Sequence, residues 1–224
     1  MESSEGYATL RRVARGVSGA DEEDHSEVCE TSLTPTPALV KDFLLVLNRL
    51  EIPYMVGGSF ASSLWGQPRQ THDLDLAVLL TSADIQPLFD AVSNDFMASI
   101  NDMQEAIGSR DEFRAFQLIH FEETFKLDVF VLRTNEYTKA SFARTQLHPI
   151  LPEFLAPFAS AEDTVITKLR WFVLGNRVSD KQWNDIVQVL EMQQGSLDED
   201  YMTHWATHFD VLDLLREAQL QVVV

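Results

Sequence analysis

Residues 54–80 restrict the folds open to this chain more than any other stretch. Tyr54-Met55-Val56 has the pattern of a short buried strand, Gly57-Gly58 ends it, and Ser59 opens a helical run, FASSLW, to Gly66. After a polar loop, DLDLAVLL at 73–80 alternates acid with leucine and then becomes wholly apolar. Strand geometry puts Leu74 and Leu76 on one face and Asp73 and Asp75 on the other. The strand therefore needs a core on one side and displays two carboxylates on the opposite side.

The flanking segments supply that core. Thr36 is an N-cap candidate ahead of Pro37, and Val40, Phe43, Leu44, Leu47 and Leu50 recur at helical spacing, which predicts a helix over 37–50. A helix behind Ser82 buries Ile85, Leu88, Phe89 and Val92. Strands over 113–121 (FRAFQLIHF) and 125–132 (FKLDVFVL) are close enough to form a hairpin. From Ser160 the pattern is helical. Ser160 and Asp163 make a capping-box-like start for a helix to about Leu174, Ser179 starts another to about Gln194, and shorter helices follow near 198–206 and 210–219. The fold class is α/β in the α+β sense: a small mixed sheet flanked by helices, then a C-terminal helical bundle. Residues 37–150 form the sheet-bearing domain and 151–224 the helical one.

Residues 1–36 read as a disordered acidic leader, a solvated linker or an interaction tail, with eight acids and three arginines. Residues 7–17 have the pattern of a short basic amphipathic helix. The whole chain carries 35 acidic and 17 basic side chains, a net charge of −18; without the leader, 27 acids face 14 bases. Such a charge opposes broad binding to a phosphate backbone and leaves room only for a local basic groove. The single cysteine, Cys29, has no partner, so neither a disulfide framework nor a thiolate metal site is available. No apolar run reaches the roughly 18 residues of a membrane helix, and a secretory signal core is lacking. A soluble cytoplasmic protein is the expectation.

Two residues along a strand separate Asp73 and Asp75 by about 6.6 Å at Cα. Carboxylates converging to about 5 Å repel by about 1 kcal/mol in water and about 3 kcal/mol at an effective dielectric of 20, a repulsion that a divalent cation reverses. Asp128 has the same setting, with Leu127 and Val129 on the opposite face. If its strand neighbours 73–80, three carboxylates meet. Such hard oxygen donors favour Mg2+ or Mn2+, and two ions about 3.5–4 Å apart suit in-line phosphoryl chemistry. Alone, D-x-D reads more often as the solvent face of an amphipathic strand than as a metal site. The Gly57-Gly58-Ser59 turn ahead of it supplies the second half of a phosphate site: free N–H groups at a helix N-terminus, close backbone approach at glycine, and the Ser59 hydroxyl.

In this combination the sequence resembles the polymerase β-like nucleotidyltransferase superfamily, whose glycine turn, short helix, Asp-x-Asp strand and later third acid are matched by GGSFASSLWGQPRQTHDLDL and FKLDVFV. Gly57, Gly58, Arg69, Thr71, Asp73 and Asp75, with Glu162-Asp163 ahead of Lys168, look most like stand-alone bacterial enzymes of the AbiEii type; antibiotic adenylyltransferases share much of the pattern. The motifs span about residues 54–132. The resemblance implies that Asp73, Asp75 and Asp128 are the catalytic, metal-binding residues and that Asp128 helps activate the acceptor hydroxyl. It implies that Gly57, Gly58, Ser59 and Arg69 hold the nucleotide, with Lys168 on its phosphates and Asp185 in support. From the residues alone, Lys168 lies beside the apolar stripe of its helix and either snorkels to water or meets an anion. Arg69 reads equally as phosphate ligand or surface ion pair, His72 as a loop residue, and Trp65, Trp171, Trp183 and Trp205 as core.

The expected reaction moves a nucleoside monophosphate from a nucleoside triphosphate to an acceptor hydroxyl, with Mg2+ or Mn2+ and release of pyrophosphate. The acceptor is an RNA 3′ end such as that of tRNA, a protein side chain, or a small hydroxylated molecule, and the AbiEii likeness implies a toxin or antitoxin partner. A non-catalytic, antitoxin-like binding module on the same fold is the alternative.

Overall fold

A computed structural model of the protein describes residues 37–222 apart from 72, 112 and 124. The leader, the Thr36 cap and His72 lie outside the described residues. Seven strands form one mixed sheet: β1 (Tyr54–Val56), β2 (Asp73–Val78), β3 (Phe96–Met97), β4 (Ala115–His120), β5 (Lys126–Val131), β6 (Gln146–Leu151) and β7 (Phe154–Phe158), in the order β3-β4-β5-β2-β1-β7-β6. β5 runs parallel to β2 and β7 parallel to β1; the remaining neighbours are antiparallel. Nine helices surround the sheet among the described residues: α1 (Pro37–Arg49), α2 (Gly58–Trp65), α3 (Ile85–Val92), α4 (Ile100–Gly108), α5 (Glu136–Ala143), α6 (Ala161–Leu174), α7 (Asp180–Met192), α8 (Glu199–His208) and α9 (Leu212–Gln221). None is long and apolar enough to cross a membrane.

Alternation in β2 and β5 divides the molecule. Leu74, Leu76, Val78, Leu127, Val129 and Val131 point into the core with Val40, Phe43, Leu44 and Leu47 of α1, every one of them buried. The opposite face carries Asp73, Asp75, Lys126, Asp128 and Phe130. α2 lies against β2 and also packs on α6 and α7, so the glycine turn is clamped between the sheet and the C-terminal helices.

The expected strand, hairpin and helix positions recur with ends shifted by a few residues. Strand β2 stops at Val78, with Leu79 and Leu80 buried beyond the ladder. At α3, Asp84 occupies the cap position and turns its carboxylate back to the Thr81 N–H and hydroxyl. Strands β3, β6 and β7 and helices α4 and α5 are additional to the sequence reading. Pro149 and Pro157 interrupt the strand signal of β6 and β7; proline is tolerated at a sheet edge, where β6 lies, and its ladder has an irregularity between Pro149 and Leu151. Short α4 and α5 are fixed by caps, Ser99 accepting from the Asp102 N–H and Asn135 from the Thr138 N–H.

The start of α6 is the expected reciprocal cap. Ser160 Oγ accepts the Asp163 N–H at 3.1 Å and donates to Asp163 Oδ2 at 2.9 Å, while the Tyr201 hydroxyl donates to Oδ1 at 2.8 Å. Asp163 is 1% exposed, and burial pushes its carboxyl up to about 6 despite those hydrogen bonds. A folded-state value above the ordinary 3.8 makes ionisation destabilising, so stability is gained as pH falls from above 6 towards 4. The span corresponds to at most about 3 kcal/mol. In urea unfolding, wild type should therefore gain on Asp163→Asn by roughly 2 kcal/mol between pH 7.5 and pH 4.5, and parallel pH profiles for the two proteins contradict this assignment.

Candidate functional site

The parallel register of β2 and β5 places Asp75 directly opposite Asp128 and Asp73 opposite Lys126. The three predicted carboxylates thus belong to adjacent positions on one face of the sheet. Antiparallel β1 delivers the glycine turn to the same spot, since the Gly57 N–H donates to the Asp75 carbonyl at 3.0 Å. Gly58 has φ +53°, and a Cβ there would lie 1.8 Å from Asp75 Oδ2. Glycine is required both by the left-handed conformation and by the carboxylate pressed beneath it. The Ser59 N–H donates to Asp75 Oδ2 at 3.3 Å, so one of the donors expected for phosphate is engaged by the protein itself.

Burial raises the Asp75 carboxyl above its ordinary value; the Ser59 N–H opposes the shift, and the charges of Asp128 and Asp73 add to it. Asp128 has both oxygens engaged, Oδ2 by Lys126 Nζ at 2.8 Å and Oδ1 by Gln117 Nε2 at 2.8 Å. In this arrangement no group of three or more His, Cys, Asp or Glu side chains among the described residues is gathered as metal ligands. The donor set nonetheless fits Mg2+ or Mn2+: hard carboxylates are register partners, and a divalent ion relieves the repulsion from Asp128 and Asp73 that adds to the effect of burial on Asp75.

A second cluster lies behind the turn. Arg69 Nη2 donates to Ser59 Oγ at 2.7 Å and to Asp185 Oδ2 at 2.9 Å, and Arg69 Nε to Asp185 Oδ1 at 3.1 Å. Lys168 Nζ lies 2.8 Å from the same Asp185 Oδ2 and 3.1 Å from Gln182 Oε1, and Ser62 Oγ donates to Oδ2 at 3.2 Å. Lys168 is buried, so of the two alternatives it meets an anion, one supplied by the protein. Burial pushes its ammonium down, with Asp185 opposing and Arg69 adding to the shift. For Asp185 burial pulls upward, but the Arg69 and Lys168 contacts together outweigh it and hold the carboxyl below its ordinary value.

Between these clusters a cavity of about 590 Å³ opens over the sheet face, bounded at one end by Gly57, Gly58, Ser59, Asp75 and Lys168. Arg69 and Asp185 stand behind its wall, and Asp73 and Asp128 lie outside its lining. Phe113, Phe130 and Trp171 form an aromatic wall, with Trp171 centred 4.4 Å from Phe113 and 5.5 Å from Phe130. Trp171 is half-buried and faces the cavity, whereas Trp65 and Trp205 are buried in the core as expected and Trp183 is partly buried against Phe172. The Arg170 guanidinium lies over Phe209 at 3.9 Å and Phe113 at 4.7 Å. Gln117, Lys126, Ser62 and Gln182 escaped the sequence reading. The first two carried a signal in the same alternation that exposes Asp128.

Removing Asp185 strands a buried ammonium and a guanidinium, so Asp185→Ala should lower unfolding stability by about 3–5 kcal/mol in urea, and Lys168→Met added to it should recover part of that loss. Gly58→Ala should cost about 1–3 kcal/mol and displace the Asp75 side chain. A variant as stable as wild type would show that the turn accommodates a side chain.

No protein-family model matches the sequence, and no curated protein matches it. Solved structures do. The antibiotic-resistance factor ANT(2'')-Ia, in complex with adenylyl-2''-tobramycin, is 14% identical, with 77% of this chain and 95% of that chain covered and a TM-score of 0.50. Its solution structure is 15% identical over 80% and 94% of the two chains, TM-score 0.49. An antigenic nucleotidyltransferase-like protein from Paracoccidioides brasiliensis is 16% identical over 82% and 92%, TM-score 0.44. At such identities the likeness is one of architecture: the chain has the nucleotidyltransferase fold, a mixed sheet flanked by helices.

Proposed function

We propose that the protein is a nucleotidyltransferase that moves a nucleoside monophosphate from a nucleoside triphosphate to an acceptor hydroxyl. The observation that carries this reading is the packing of Asp75 under the Gly58 backbone and beside Asp128, which joins an acid pair to a phosphate-competent turn. The triphosphate lies against the turn, where the helix N-terminus and the Lys168 ammonium face its oxygens and Arg69 adds positive charge from behind the turn. Asp73, Asp75 and Asp128 hold Mg2+ or Mn2+, which supplies charge stabilisation on the phosphates. The nucleoside extends over the sheet face towards the Phe113–Trp171 wall.

In the reaction the acceptor oxygen attacks the α-phosphorus, the bond to the β-phosphate oxygen breaks, and pyrophosphate leaves. The acceptor proton passes to the Asp128 carboxylate, which requires that carboxylate to be ionised and turned towards the acceptor. Asp185 touches none of the reacting atoms; it fixes Arg69 and Lys168 at the edge of the turn. The acceptor classes that follow from the AbiEii-like and adenylyltransferase-like motifs are an RNA 3′ end, a protein side chain and a small hydroxylated molecule, and a toxin or antitoxin partner belongs to the first two.

The engagement of both Asp128 oxygens by Lys126 and Gln117 favours a second reading, a nucleotide-binding module without catalysis. Pyrophosphate release with Mg2+, each nucleoside triphosphate and each acceptor class separates the two. Catalysis predicts that Asp75→Asn lowers the rate by about 10²–10³-fold or more. Equal release by wild type and the Asp73→Ala, Asp75→Ala double variant sinks the enzyme reading. Calorimetric nucleotide binding with no turnover in wild type supports the module.

A further inference from the structure

Two side chains at the carboxylate cluster have no part in that reaction. Lys126 faces Asp73 in the register of β2 and β5 and shares a strand face with Asp128, two residues on. Its Nζ lies 2.8 Å from Asp128 Oδ2. From β4, Gln117 is the register partner of Asp128 and donates to Oδ1 at 2.8 Å. A cation and an amide therefore occupy the two oxygens that a metal ion would use. The Lys126 side chain is one-third exposed and that of Asp128 16% exposed, so the pair is at the rim of the site with a route to water.

We propose that Lys126 is a built-in counter-cation, which neutralises the Asp73, Asp75 and Asp128 cluster and must leave Asp128 Oδ2 before a divalent ion binds there. The inference rests on the metal-binding part of the reading above. Three carboxylates on one sheet face repel one another, and a single ammonium offsets part of that charge. A divalent ion offsets more, but binding it requires the Lys126–Asp128 contact to break. The flexible four-carbon stem lets the ammonium swing to solvent without movement of the backbone. Lys126 thereby sets the metal concentration at which the site fills. Gln117 is neutral, so it orients Asp128 and contributes little to that competition.

The test is Mn2+ binding to the full chain, followed by the paramagnetic resonance signal of free Mn2+, with and without a non-hydrolysable nucleoside triphosphate analogue. Lys126→Met, which removes the ammonium, should bind Mn2+ roughly fivefold tighter than wild type. Lys126→Arg, which keeps the charge, should stay within about twofold of wild type. Lys126→Gln serves as a second neutral variant and should match Lys126→Met. Without metal, both neutral variants should melt below wild type, and saturating Mn2+ should narrow the gap. Wild-type Mn2+ affinity equal to or tighter than that of both neutral variants overturns the counter-cation while leaving the metal site standing. If no protein binds Mn2+ with or without the analogue, the metal-binding reading fails and the counter-cation with it.

Discussion

The Asp185 carboxylate is the contact on which the site's construction depends. It accepts from Arg69 in the loop before β2, from Ser62 on α2 and from Lys168 on α6, while being anchored on α7 itself. Sheet-side and helical segments far apart in sequence therefore meet at one buried anion. Such an arrangement contributes little net stability compared with an apolar contact, because desolvating three charges consumes most of the Coulomb gain. What it secures is placement. Arg69 and Lys168 are long, flexible side chains, and a shared carboxylate holds both at the edge of the glycine turn with hydrogen bonds whose geometry leaves little freedom.

Asp75 performs the matching task on the other side of the turn. Its carboxylate fills the space that a Cβ on residue 58 would take and accepts the Ser59 N–H, so the turn and the acid are shaped by each other. A strand residue that could have been merely a solvated acid is held by burial and by a neighbouring carboxylate in a state that favours a cation beside it. The two ion clusters lie on either side of three residues, Gly57 to Ser59. That is why the short helix α2 must pack on β2 and on α6 and α7 at once.

The sequence shows these features to the extent that local periodicity encodes them. Alternation in DLDLAVLL and FKLDVFVL shows which residues share a face, and the same period two exposes Lys126 and Gln117, although nothing local says that they would turn towards Asp128. The pairing of β2 with β5, which brings Asp75 to Asp128, is a long-range choice; the alternation allows it without requiring it. β6 and β7 were hidden by Pro149 and Pro157, since proline weakens a strand signal; the edge position of β6 tolerates Pro149. Trp171 has apolar neighbours at helical spacing and reads as core. It lines a cavity instead, beside Phe113 and Phe130. A helical pattern reports which face is apolar and is silent on whether protein or ligand space covers it.

The proposed function asks a protein with a net charge of −18 to host an anion as charged as a triphosphate. Distance resolves the conflict. At physiological ionic strength the Debye length is about 8 Å, so surface acids beyond it contribute little to the potential in the cleft. What matters is the local set, and there Lys168, Arg170, Arg110, Arg114 and Arg133 line the cavity against Asp75, Asp111 and Asp163, with Arg69 immediately behind the turn. The cavity lining is thus richer in cations than the chain as a whole, while the acidic exterior disfavours extended contact with a polyanion. Charge of this kind admits one phosphate-bearing group at one place and resists a long nucleic-acid backbone laid across the surface. An RNA acceptor, on this physics, would have to present an end rather than a helix.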